Sequence, residues 1–94
     1  MDTRISSQEA AKMAARLSGW TLDSGATSLS KEFALPDFTS ALTLANQIGA
    51  AAEQQGHHPD LEVSWGKLRV MLTTHDVGGL SQKDFALAAA IDAL

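Results

Sequence analysis

Near the start of the chain, apolar residues recur at steps of three and four, at Ala10, Met13, Ala14 and Leu17, which is one stripe of a helix. Ser6 and Glu9 precede the stripe in the S-x-x-E arrangement, whose hydroxyl and carboxylate satisfy free backbone N–H groups of a first turn. Lys12 and Arg16 lie toward the end where cations suit the helix dipole, and Gly19 offers a left-handed cap. The pattern predicts a helix over about Ser7 to Ser18. From Trp20 to Leu35 the period becomes two. Trp20 and Leu22 alternate with polar neighbours, and Asp23-Ser24-Gly25 supplies a turn. Leu29, Phe33 and Leu35 then share one parity, with Lys31 the exception, so the segment predicts a hairpin.

Pro36 disfavours further ladder pairing and Asp37 caps a second helix, in which Phe38, Ala41, Leu42, Ala45, Ile48, Gly49 and Ala52 hold helical spacing up to Gly56. Its small residues Ala41, Ala45 and Gly49 admit close approach of another backbone, while Leu44 and Ala51 sit off the main stripe and open a second contact face. Beyond Pro59, Leu61, Val63 and Trp65 alternate with Glu62 and Ser64. Gly66-Lys67 turns the chain into Leu68, Val70 and Leu72, alternating with Arg69, Met71 and Thr73, a second hairpin. Ser81 then caps a last helix with Asp84 at its third position, Leu80 set to staple Phe85, and Leu87, Ala90, Ile91 and Leu94 on one stripe.

The order is α-β-β-α-β-β-α, an α+β class. Neither hairpin can hide its apolar face alone, whereas one four-stranded antiparallel sheet with three helices on one face buries both. No linker, repeat or low-complexity segment interrupts residues 1–94, which predicts a single domain. A chain of 94 residues buries roughly 60 to 65% of its unfolded surface, and one with five aromatics and many alanines has reason to gain more by assembly. The expectation is a homo-oligomer, the open sheet face and edges being offered to solvent or to another subunit.

Eleven acidic against seven basic residues give a net charge of −4, which opposes direct binding of a nucleic-acid backbone. Without cysteine there is no disulfide or thiolate zinc site. No apolar leader or membrane-length run is present, so the expectation is a soluble cytoplasmic protein.

All three histidines, His57, His58 and His75, fall within nineteen residues. Imidazole titrates closest to neutrality, so their concentration points to proton transfer. Pro59 holds His58 extended, and consecutive side chains on an extended segment diverge, so His57 and His58 take different tasks. Antiparallel pairing across Gly66-Lys67 brings His75, at the far end of the fourth strand, back beside the His58-Pro59 segment. Glu53, four residues before His57, is placed to orient an imidazole. Each has a structural alternative: Asp84 as a cap, Glu53 as a solvated helix end, His75 as a surface residue, Trp65 as core or as an aromatic bordering a flat ligand. A metal site on His57, His75 and Glu53 is disfavoured, because adjacent histidines before a proline diverge and no H-E-x-x-H is present.

The run Glu53-x3-His57-His58-Pro59, Trp65 after five residues, His75 after nine more and Asp84 after eight resembles the signature of the pterin-4a-carbinolamine dehydratases. The words T-T-H-D from Thr73 and G-L-S-x-K-D from Gly79 strengthen the likeness; upstream it thins to Gly19-Trp20, the Phe33 strand and the helix leading into Glu53. The resemblance implies the fold read above, assembly as dimers or tetramers, and dehydration of a 4a-hydroxytetrahydropterin to the quinonoid dihydropterin without metal or organic cofactor. It implies that an aromatic amino acid hydroxylase supplies this substrate in tetrahydrobiopterin recycling. It further implies His57 and His75 as the acid/base pair and His58 as a pterin-binding group. Glu53 would tune His57, Asp84 would hold the site through the helix start, and Pro59 and Trp65 would support it. The alternative on the same fold is a non-catalytic interaction module, a dimerisation cofactor or assembly factor.

Overall fold

The computed structural model describes residues 2–94. Three helices and four strands follow in the order α1 (Ser7–Ala15), β1 (Thr21–Leu22), β2 (Leu29–Ala34), α2 (Phe38–Gln55), β3 (Asp60–Ser64), β4 (Lys67–Leu72) and α3 (Gln82–Asp92), with a short 3-10 turn at His75–Val77. The strands form one antiparallel sheet in the order β1-β2-β4-β3. The second hairpin thus joins the first through β4, with Leu29 opposite Leu72 and Phe33 opposite Leu68.

Register decides which face is buried. Leu68, Val70 and Leu72 are fully enclosed on β4, and their partners Phe33, Leu61 and Val63 pack against the same core. The alternate set, Ser30, Glu32, Arg69, Met71 and Glu62, therefore lies on the open face. Arg69 there faces Glu32 on one side and bonds Glu62 on the other at 3.3 Å. The helices cover the apolar face. Ala41, Ala45, Ile48 and Ala52 of α2 are buried within this chain, so the small residues bring α2 close to its own sheet and α3. What α2 leaves outward is Phe38 and Leu42.

Caps set most boundaries as the sequence predicts. Asp37 accepts from the Ser40 N–H, Gly56 closes α2 in the left-handed region, and Ser81 with Asp84 forms a reciprocal capping box on α3. Three features differ. The first helix ends at Ala15 rather than near Ser18. Arg16 caps it, and the chain turns at Gly19 (φ 82°) to deliver Trp20 into the core, where its indole donates to Asp92 at 2.9 Å. The first strand shrinks to two residues because Asp23 holds a wide loop, accepting from the Thr27 and Ser28 N–H groups and the Thr27 hydroxyl. Trp65 belongs neither to β3 nor to the core: it stands on the hairpin turn beyond the last ladder pair, Ser64 with Lys67, and is 74% exposed. Lys31, the polar exception on the inner parity of β2, reaches to the end of α3 and meets Asp92 at 2.9 Å.

Candidate functional site

The C-terminus of α2 places the first two histidines. Gly56 (φ 64°) returns its N–H to the last carbonyls of the helix, and the His57 N–H bonds Ala52 O at 3.1 Å. That reversal turns His57 inward, leaving 9% of it exposed, while the next side chain, His58, faces solvent. His57 Nε2 lies 2.6 Å from Oδ1 of Asp84. Asp84 has no exposure, and its other oxygen accepts from the Thr74 hydroxyl at 2.7 Å and the Ser81 N–H at 3.0 Å. The capping carboxylate of α3 is thus also the group that holds His57, so the two readings of Asp84 describe one side chain.

Glu53 does not reach His57. Its carboxylate hydrogen-bonds His58 Nε2, both groups lying largely in solvent. The pairing differs from the one expected because His57 has been drawn to Asp84, which leaves the exposed imidazole for the exposed helix-end carboxylate.

His75 arrives from the other strand. Thr74 pairs with Gly79 in an isolated bridge, and the 3-10 turn enclosed by that bridge begins at His75, with Gly78 (φ 66°) closing it. Extending the β3–β4 register beyond Asp60 and Met71 sets His58 opposite Thr73 and His57 opposite Thr74. The three histidines consequently line one pocket of about 220 Å³ with Gly56, Thr73 and Thr74, while Asp76 and Lys83 bring opposite charges to it. Lys83 Nζ is 3.3 Å from Asp2. A larger cleft of about 390 Å³, lined by Lys31, Phe33, Leu44, Ile91 and Leu94, holds no histidine.

Pro59 sits between His58 and β3, outside the pocket wall. Trp65 closes the opposite end of the hairpin, roughly 23 Å along the chain from His58 at ~3.3 Å per residue, and does not border the pocket. Thr73, Thr74, Asp76 and Lys83 enter the site without having been singled out by chemistry in the sequence. The readable signal was the β3–β4 register, which puts the threonines across from the histidines. Among the described residues no group of three or more His, Asp or Glu side chains is gathered as metal ligands would be, and no helix is long and apolar enough to cross a membrane.

Comparison with known proteins accords with this geometry. The sequence model of the family described as pterin 4 alpha carbinolamine dehydratase matches residues 3–94. A Nostoc protein provisionally named pterin-4-alpha-carbinolamine dehydratase is 46% identical over 93% of this chain and 91% of its own length. A Roseiflexus protein of the same provisional name is 45% identical over 98% and 97%. Among solved structures, a transcriptional coactivator/pterin dehydratase from Brucella melitensis superposes with a TM-score of 0.90 at 26% identity, covering 97% of both chains. A pterin dehydratase-like RuBisCO assembly factor of the alpha-carboxysome shares the fold at a TM-score of 0.66 and 22% identity, over 80% of this chain and 87% of that one. With the family's pattern spanning nearly its whole length and relatives this similar across it, the chain belongs to the pterin 4 alpha carbinolamine dehydratase family.

Proposed function

We propose that this chain dehydrates a 4a-hydroxytetrahydropterin to the quinonoid dihydropterin by histidine acid/base catalysis. The observation that supports this reading best is the gathering of His57, His58 and His75 around one pocket. In the reaction the N5 lone pair forms the C4a=N5 bond as the C4a–O bond breaks. The departing oxygen takes a proton to leave as water, and N5 gives up its own. Only an acid and a base are required, and two imidazoles serve.

His57 and His75 are the proposed acid/base pair. His57 is braced by Asp84, and His75 is carried on a short turn that lines the same pocket. His58, paired with Glu53, is proposed to bind the pterin edge at the mouth, and Pro59 to fix the direction in which His58 leaves the helix. A pocket this small and open suits a flat ring whose substituent stays in solvent. The substrate source would be an aromatic amino acid hydroxylase in tetrahydrobiopterin recycling in the cytoplasm, and the working form a homodimer or homotetramer.

A second reading, an interaction role, is supported by the coactivator and assembly-factor names of the two solved neighbours and by the exposed Phe38 and Leu42 on α2. The two separate on one assay. The ultraviolet change of a freshly generated 4a-carbinolamine is followed with native protein, His57→Ala and His75→Ala. Native protein is expected to outpace buffer and both variants to lose most of that advantage. A native rate equal to buffer would sink the enzyme reading and leave the interaction role.

A further inference from the structure

The buried polar or charged side chains among the described residues are His57, Thr74, Ser81 and Asp84, and all four belong to one hydrogen-bonded chain. Its proton directions can be worked out from donor counts. Ser81 Oγ lies 2.7 Å from Thr74 Oγ1, and Thr74 Oγ1 lies 2.7 Å from Asp84 Oδ2. A hydroxyl has one hydrogen. A carboxylate only accepts, so Thr74 gives its hydrogen to Asp84 and the Ser81 hydroxyl gives its own to Thr74. The Lys83 N–H then donates to the freed Ser81 oxygen at 3.3 Å. Oδ2 of Asp84 is filled by Thr74 and the Ser81 N–H, which leaves Oδ1 for His57 Nε2.

An acceptor at Oδ1 requires a hydrogen on Nε2, and that fixes the tautomer of the neutral ring. Nδ1 makes no hydrogen bond to the described residues, and no buried side-chain nitrogen or oxygen among them lacks a partner. Nδ1 is therefore the accessible nitrogen, on a ring that lines the pocket. We propose that Thr74 and Ser81 are positioning residues: the Thr74 hydroxyl, itself oriented by Ser81, and the Ser81 N–H occupy Oδ2 of Asp84 and so turn Oδ1 to the ring, which holds His57 as the Nε2–H tautomer with Nδ1 presented to substrate as a proton acceptor. The value of this arrangement for turnover rests on the dehydratase reading; the arrangement itself does not.

Long-range 1H–15N correlation of histidine-labelled protein at about pH 8, above the ordinary imidazole range, reports which ring nitrogen carries the proton. Native His57 is expected to show a protonated Nε2 and a bare Nδ1. Thr74→Val keeps the shape and removes the hydroxyl that pins Oδ2, so the Asp84 carboxylate is free to rotate Oδ1 away from the ring and a mixture of both tautomers is expected, with Thr74→Ser restoring the single one. In the dehydration assay Thr74→Val is expected to lower kcat about tenfold while KM stays within about twofold, since the ring is misprotonated rather than displaced. A native His57 protonated on Nδ1 overturns the proposal without any variant. So does a folded Thr74→Val that keeps the native tautomer, or a Thr74→Ser that behaves like valine. The expected tautomers in a protein that does not outpace buffer would remove the dehydratase reading and leave the positioning role standing.

Discussion

Oδ1 of Asp84 lies 2.6 Å from Nε2 of His57, and the pair joins the first turn of α3 to the second residue beyond α2. One buried carboxylate therefore serves helix, loop and imidazole together. Asp84→Ala would leave the Thr74 hydroxyl, the Ser81 N–H and the His57 ring without their common acceptor. Each stranded donor costs about 1 to 3 kcal/mol, so a total loss on the order of 3 kcal/mol or more is expected as a lower denaturation midpoint.

His75 is exposed on the 3-10 turn, and its side chain carries none of the hydrogen bonds that brace His57. His75→Ala is expected to leave thermal stability within about 0.5 kcal/mol while lowering dehydration by roughly 10² to 10⁴, the usual worth of one acid or base. His57→Ala should lower both, because it also frees Oδ1 of Asp84. A His75 variant that loses stability in step with activity would place His75 in the framework instead.

Glu53 and His58 give the opposite case. Their contact is solvent-exposed, and exposed ion pairs are worth about 0 to 1 kcal/mol. Glu53→Gln is expected to leave the melting curve nearly unchanged. If His58 binds pterin, the variant should raise KM more than it lowers kcat; the reverse pattern would put Glu53 in the chemistry.

The alternating residues of both hairpins and the three cap signatures carry the fold in the sequence. Asp37 and Ser81 sit where local hydrogen bonding alone decides the boundary. Local pattern misleads where a distant partner takes over. The first helix stops at Ala15 rather than near Ser18, and the chain turns at Gly19 to set Trp20 in the core, where Asp92, seventy-two residues away, accepts from its indole. Trp65 keeps the inward parity of β3 but falls on the turn, past the last ladder pair. At the site, the convergence of the histidines follows from the register. The exchange of partners, His57 with Asp84 and His58 with Glu53, does not, since a four- or five-residue step from Glu53 fits either ring. Only the φ of Gly56 and the depth of His57 settle it.

Gly56 itself is testable. A Cβ there would meet nothing within 4 Å, so space is no obstacle, but φ is +64°. Gly56→Ala is expected to cost about 1 kcal/mol through the left-handed backbone alone, and Gly56→Asn less, because asparagine tolerates that region. Equal losses in both variants would show that side-chain bulk at the pocket, rather than backbone strain, is what the position resists.

Acid sensitivity is expected at two carboxylates far from the histidines. The Thr27 hydroxyl, with the Ser28 N–H, holds Asp23 below its ordinary value of 3.8, and the Ser40 N–H does the same for Asp37 at the start of α2. A group depressed in the folded state contributes stability that is present above the unfolded value and lost as pH falls through the folded one. Urea midpoints of the native chain should therefore drop as pH is lowered below about 4, the ordinary carboxylate range. Asp23→Asn and Asp37→Asn should each start lower near neutrality and flatten that drop. Both sites are exposed, so the flattening is expected to be small for either variant and larger for the two combined. A double variant whose midpoint falls as steeply as the native chain would show that the acid response comes from other carboxylates.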